Sequence, residues 1–190
     1  MKRLIITAVV TYMGLAGATA AAQTPKPADT VVAEAARTAK ASGRSVLIEF
    51  GASWCTWCRN FEAFVKAPET APVIAKHFVV VNLIVHERED KIALEHPGGN
   101  ALMARWAGAS NPGLPFYVFL DGSGAKVADS NAMPDGRNIG FPAVPEEIDA
   151  FMRLIGKAAP AMTAAERAAL QAYLMRVMPA PRGGGSGQTR

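Results

Sequence analysis

Cys55 and Cys58 are the two cysteines of the 190-residue chain, and only Thr56 and Trp57 separate them. A bridge closing so short a loop removes little entropy from the unfolded chain, so it would be a poor staple. The spacing fits redox chemistry better than scaffolding. Thiol exchange needs a thiolate. The first turn of a helix offers unpaired N–H groups and the positive end of the helix dipole. A strand and turn precede the pair and a helical pattern follows it. Cys55 is therefore expected at a helix start, with a depressed pKa and a sulfur reachable from solvent. Cys58, one turn on, would lie on the same face and resolve a mixed disulfide by attacking Cys55. In reverse, the oxidised pair would take electrons from a substrate dithiol.

The elements that must hold this pair can be read from hydrophobic period and punctuation. Asp29 or Thr30 is expected to cap a helix reaching Ser42, with Gly43 closing it. Residues 45–50 predict a strand with Val46, Ile48 and Phe50 on one side and Leu47 and Glu49 on the other. Both sides are largely apolar, as in a strand covered by helices on both faces. The helix from Cys55 should be interrupted by Pro68 and resume over 69–77. Residues 78–85 form a β-branched run, another buried strand. A polar loop over 86–100 and a short helix over 101–107 follow. Residues 115–120 and 125–129 predict strands joined by a turn at 121–124. After a long loop over 130–144, Pro145 and two glutamates open a helix to Lys157. Thr163 and Glu166 have capping-box spacing for a last helix to Met178. This order implies an α/β fold, a mixed central sheet of about four strands with helices on both faces and an extra C-terminal helix.

Composition bounds the class. Half of the residues are hydrophobic and 19% are charged, enough for a sizeable core. Lys2 and Arg3, an apolar stretch from Leu4 to about Gly17 and the small residues 18–22 read as an export signal cut after Ala20 or Ala22. The apolar stretch is short for a bilayer span, and no cysteine lies near the cut to carry a lipid. Contact with a membrane is thus expected only through the signal before its removal, and the location is periplasmic or secreted. The net charge of +4 includes Lys2 and Arg3, so the mature chain is nearly balanced. With no basic stripe interleaved with aromatics, nucleic acid is not an expected partner. The organisation expected is a signal over 1–22, a linker over 23–28, a domain over 29–157, a helical extension over 158–180 and a flexible tail over 181–190.

The run Gly51-Ala52-Ser53-Trp54-Cys55-Thr56-Trp57-Cys58-Arg59 resembles the thioredoxin family at its strand end, its Trp-Cys-x-x-Cys motif and its following basic residue. Gly113-Leu114-Pro115-Phe116 ahead of an apolar strand resembles the family's cis-proline segment, and Glu49, six residues before Cys55, matches its buried acid. The resemblance spans roughly residues 30–156. It implies a thioredoxin-like fold and thiol-disulfide exchange with protein thiols and disulfides, together with a separate redox partner. It implies that Cys55 is the nucleophile, Cys58 resolves, Glu49 shuttles a proton, and Leu114 and a cis Pro115 pair with substrate backbone. From the residues alone Pro115 would be an ordinary trans proline at a strand start. The pattern departs from the family in four places, the first being that the buried acid at position 49 is Glu rather than Asp. Thr56-Trp57 replaces the Gly-Pro of cytosolic thioredoxins and the Pro-His of strong periplasmic oxidants, residues that tune the reduction potential. Val80 or Val81 is expected beside Glu49, where thioredoxins commonly carry Lys. The loop over 130–144 is longer and available to shape substrate choice.

Tetrahedral zinc needs about four ligands, whereas one cysteine pair and the scattered His77, His86 and His96 supply no such set. Haem attachment needs His directly after the second cysteine, where Arg59 stands. Copper carriage would need methionines gathered near the pair, and Met103, Met133, Met152, Met162, Met175 and Met178 are dispersed. No cofactor beyond the Cys55–Cys58 disulfide and no metal is therefore expected. Trp54 and Trp57 read equally as packing residues or as an apolar rim that docks substrate. The alternative function is a thioredoxin-fold binding protein, a metal carrier or a chaperone-like subunit, with a static cysteine bridge. The last helix, with Leu170, Tyr173, Leu174 and Val177, would pack on the domain or join a partner.

Overall fold

The computed structural model describes residues 24–108 and 112–177. The expected export signal and the C-terminal tail lie outside the described residues. Helix α1 (Ala28–Ser42) leads into strand β1 (Ser45–Gly51), followed by α2 (Thr56–Lys66), α3 (Ala71–His77) and β2 (Phe78–Ile84). A 3₁₀ turn over Glu89–Leu94 and α4 (Gly99–Ala107) precede β3 (Phe116–Leu120) and β4 (Lys126–Asp129), and α5 (Pro145–Ala158) and α6 (Ala164–Val177) follow. The sheet order is β2-β1-β3-β4, with β1 parallel to β2 and antiparallel to β3, and β4 antiparallel to β3. This is the mixed four-stranded sheet read from the sequence.

The period-two alternation of β1 separates two cores. Val46, Ile48 and Phe50 pack with Val118 and Leu120 of β3 against α1 and α4. Leu47, Tyr117 and Phe119 face α2, α3, α5 and α6. The second core is built around rings. Phe61 of α2 stacks on Tyr117 with centroids 5.0 Å apart, and Phe151 of α5 meets Phe61, Phe64 and Tyr117 edge-on. Each fully buried ring contributes roughly 1.5–3 kcal/mol. This cluster therefore fixes α2, the helix that carries the cysteines, on the sheet.

Helix ends follow local chemistry except at α1. Its expected caps, Asp29 and Thr30, both lie inside the helix, which starts at Ala28 with no side-chain cap. Ala28 is fully buried and its N–H donates to the Pro97 carbonyl at 2.9 Å. A tertiary contact thus replaces the cap. Ala67, the residue before Pro68, is extended (φ −62°, ψ 143°) and ends α2, as the clash with a proline ring requires. At α6 the Thr163 N–H and hydroxyl donate to Glu166, whose own N–H donates back to Thr163 Oγ1 at 3.2 Å. Glu166 also pairs with Lys76 at 2.7 Å and His77 at 3.1 Å. Those bonds, Lys76 first, pull its pKa down to about 2. They tie α6 to α3, and Leu170 and Leu174 are fully buried in the ring-lined core. The last helix therefore packs on the domain.

Tyr117 is completely buried and its hydroxyl has no hydrogen-bond partner among the described residues, and burial pushes its pKa up. A buried hydroxyl without a partner costs stability. Tyr117→Phe is therefore expected to leave stability unchanged or raise it by up to about 1 kcal/mol in urea unfolding. A loss larger than that would mean the hydroxyl is satisfied.

Candidate functional site

Strand β1 delivers the site. Beyond Ser45 every residue of β1 is buried, and it is hydrogen-bonded on both sides by β2 and β3. Gly51 ends it, where a Cβ would stand 3.3 Å from both Cβ and Sγ of Cys58. Glycine thus lets the first turn of α2 close onto the strand. The Cys55 N–H donates to the Ala52 carbonyl at 3.0 Å, and Cys55 becomes the N-cap of α2 (φ −80°, ψ 109°). Its sulfur accepts the Cys58 N–H at 3.1 Å. Cys55 and Cys58 are joined as a disulfide, with Cα atoms 5.3 Å apart. The sulfur stands where the sequence placed it, at a helix end whose free N–H groups stabilise negative charge.

Its accessibility differs from expectation. Cys55 is 4% exposed and Cys58 6%. Ala52 forms one buried cluster with the two cysteines, and Leu114 packs against that cluster. The exposed surface beside them belongs to Trp54 and Trp57, 43% and 45% exposed. Each indole is anchored at one end. Trp54 Nε1 donates to the His86 carbonyl at 2.8 Å, and Trp57 stacks on Phe141 with centroids 6.0 Å apart. The peptide between Leu114 and Pro115 is cis, and Leu114 lies against the cysteines. The segment is held from the 130–144 loop, where Asn138 Nδ2 donates to the carbonyls of Pro112 and Pro115 at 2.8 and 2.9 Å.

Glu49 is 3% exposed, on the same side of β1 as α2. The residue beside it on β2 is Asn82, not Val80 or Val81. The two valines lie further back in the register, paired with Leu47 and Ile48. Asn82 Nδ2 donates to Glu49 Oε2 at 3.1 Å, while Oε1 has no partner among the described residues. Burial, reinforced by the negative charge of Glu62, pushes the Glu49 pKa up to about 8; the Asn82 bond and the Lys66 charge oppose this more weakly. A cavity of about 250 Å³ opens between Cys58, Asn82 and Glu62. The histidines stand apart from this chemistry. His77 pairs with Glu166, and burial lowers the pKa of His96, whose Nδ1 accepts the Ile84 N–H. Among the described residues no three His, Cys, Asp or Glu side chains gather to hold a metal.

Asn82, Asn138, Phe141 and Glu87 were not singled out from the sequence. Asn82 was missed by a strand register drawn short. Asn138 and Phe141 lie in a loop with no period to read. Glu87 is one charge in a polar run, and its role is visible only through its contacts.

The raised pKa of Glu49 makes a stability statement. Between its ordinary 4.5 and the folded value near 8, the native state holds a proton that the unfolded state has released. Stability attributable to Glu49 therefore falls as pH rises through that window and levels off above it. Glu49→Gln is expected to match the wild type near pH 4.5 and to exceed it by about 2–4 kcal/mol at pH 8.5 in denaturant titrations. Identical pH dependence in the two proteins would remove the case for a buried neutral acid.

The description "Thioredoxin-like" attaches to the family model that matches residues 28–122. Among solved structures, the chain is similar to a disulphide isomerase from Xylella fastidiosa Temecula1, at 20% identity over 80% of this chain and 92% of that one, with a TM-score of 0.46. It is similar to a DsbH oxidoreductase at 19% identity over 80% and 94%, TM-score 0.45, and to a thioredoxin from Thermus thermophilus at 23% over 61% and 79%, TM-score 0.38. No curated protein sequence matches it. With half of its length matched by the family model and a Trp-Cys-x-x-Cys pair at the start of α2, the chain belongs to the thioredoxin-like family.

Proposed function

We propose that this protein is an exported thiol-disulfide oxidoreductase acting on protein thiols and disulfides through Cys55 and Cys58. The observation that carries the reading is the Cys55 sulfur at the α2 N-terminus, accepting the Cys58 N–H, with Cys58 bonded to it and Glu49 buried behind. In the reducing direction the Cys55 thiolate attacks a substrate disulfide, forming a Cys55–substrate bond and expelling one substrate thiolate. Cys58 gives its proton to the ionised form of Glu49, a minor population below about pH 8, and attacks the Cys55 sulfur. The second substrate thiolate leaves, the substrate has gained two electrons and the pair is a disulfide. The oxidising direction is the reverse. An acid with a pKa of about 8 lies close to a thiol's ordinary value of about 8.5, so that transfer is nearly balanced in energy. The cavity between Cys58 and Asn82 has room for a water to complete the path.

The Leu114 backbone beside cis Pro115 would pair with an extended substrate segment, and Trp54, Trp57 and the Phe141 loop would form its apolar rim. Attack on a disulfide is in line with the S–S bond, so it needs only the face of Cys55 turned away from Cys58. Export rests on the Lys2-Arg3 start and the apolar stretch that follows it. No described helix is long and apolar enough to cross a membrane.

The low exposure of both cysteines favours a second reading, a static bridge in a binding protein of the same fold. Two measurements separate them. For an enzyme, the pair equilibrates with glutathione or dithiothreitol buffers, Cys55→Ser lowers insulin reduction by more than about 10³-fold, and Cys58→Ser accumulates mixed disulfides on Cys55. Alkylation of the reduced protein then labels Cys55 well before Cys58. A bridge that stays oxidised below about −300 mV, with no trapped partner, belongs to a binding protein.

A further inference from the structure

Between β2 and α4 the polar groups at the start of the 86–98 loop are committed to the residues just ahead of Cys55. Glu87 is 9% exposed. Its Oε1 accepts the Ser53 N–H at 2.5 Å, and its Oε2 accepts the Ser53 hydroxyl at 2.9 Å. The Glu87 N–H donates to Glu95 Oε1 at 2.7 Å, and Asn100 Nδ2 donates to Glu95 Oε2 at 2.8 Å. Asn100 Oδ1 in turn accepts the His86 N–H at 3.1 Å, and the His86 carbonyl accepts the Trp54 indole. His86 is held at φ 52°, a left-handed conformation that strains a non-glycine residue. The network compensates that strain and returns the chain to Trp54. Ser53 and Trp54, the two residues before Cys55, are both fastened to it.

Arg59 approaches the same segment from the other side. Its Nη1 donates to the Ser53 carbonyl at 3.2 Å, and its Nη2 to Thr56 Oγ1 at 3.0 Å. Ser53 thus bridges a carboxylate on its N–H and a guanidinium on its carbonyl, two residues from Cys55. The thiol-disulfide mechanism above uses neither charge.

We infer that Glu87 is a positioning residue that seats Cys55 at the α2 N-terminus and, through its negative charge, biases the pair toward the disulfide. Glu87 raises the energy of a nearby thiolate; Arg59 lowers it. The reduced pair carries that thiolate and the disulfide does not. The Glu87 charge therefore makes the dithiol a better donor of two electrons, and the Arg59 charge makes the disulfide a better acceptor. Glu95, whose carboxylate faces the Glu87 N–H, adds to the negative side.

The inference rests on the thiol-disulfide reading, and glutathione redox titration keeps the two apart. A wild-type pair that equilibrates with neither glutathione nor dithiothreitol sinks that reading. A wild-type pair that equilibrates, with Glu87→Gln matching it, sinks the inference alone. Gln preserves the side chain's shape and can still accept the Ser53 N–H. The expected result is a shift of the equilibrium toward the dithiol by about threefold in E87Q, with the pH midpoint of Cys55 alkylation falling by about half a unit. Arg59→Gln moves both readouts the opposite way, and the double variant returns close to wild type. E87A, which also loses the bonds to Ser53, should lose about tenfold in kcat/KM for insulin reduction where E87Q does not. Should E87A fail to fold, E87Q and R59Q still decide the matter. E87Q and R59Q shifting in the same direction would overturn the inference, because a purely structural role has no reason to follow the sign of the charge.

Discussion

The site depends on one contact, the first turn of α2 closing onto the end of β1. Gly51 eases that closure, because a Cβ there would stand 3.3 Å from Cys58. The closure is held because β1 is paired on both edges and cannot shift. The rings of Phe61, Phe64 and Phe151 then fix the rest of α2 to Tyr117 and the sheet. The Cys55 sulfur lies at the helix terminus as a consequence of packing that extends through most of the molecule. The cap itself, a sulfur accepting one N–H, adds little to stability.

Glu49 sits against the interest of that packing. A carboxyl at the centre of a strand with one oxygen unpartnered among the described residues destabilises the native state whenever it is charged, and burial keeps it protonated up to about pH 8. Asn82, directly opposite in the register, supplies its one hydrogen bond from the described residues. A side chain that costs stability beside Cys58 is in keeping with the proton transfer proposed for it. Tyr117, opposite Glu49 across β1 and β3, also has a hydroxyl with no partner among the described residues, and it lies among rings.

Around this centre the connecting segments act as supports. The 86–98 loop holds Ser53 and Trp54 through Glu87 and His86. The 130–144 loop holds the cis-proline segment through Asn138 and meets Trp57 through Phe141. Neither loop contributes a sulfur, yet together they set which parts of the two tryptophans face solvent and which charges lie near Cys55.

Patterns that depend on neighbours in sequence were legible in the sequence by itself. The alternation of β1, the helix stops at Gly43 and Pro68, the capping box at Thr163 and the cysteine pair at a helix start all rest on local backbone geometry and hydrophobic period, and the structure contains each of them. The cis form of Leu114-Pro115 followed from family resemblance, not from local chemistry. Tertiary structure decided what depends on pairing across the chain. The start of α1 is set by the Pro97 carbonyl in place of a cap, and the partner of Glu49 is Asn82 because register is a property of two strands. The small exposure of Cys55, and the grip of Glu87 and Asn138 on the site, come from segments far apart in sequence. A single polar residue in a loop has no period, and its function lies wholly in what the fold brings beside it.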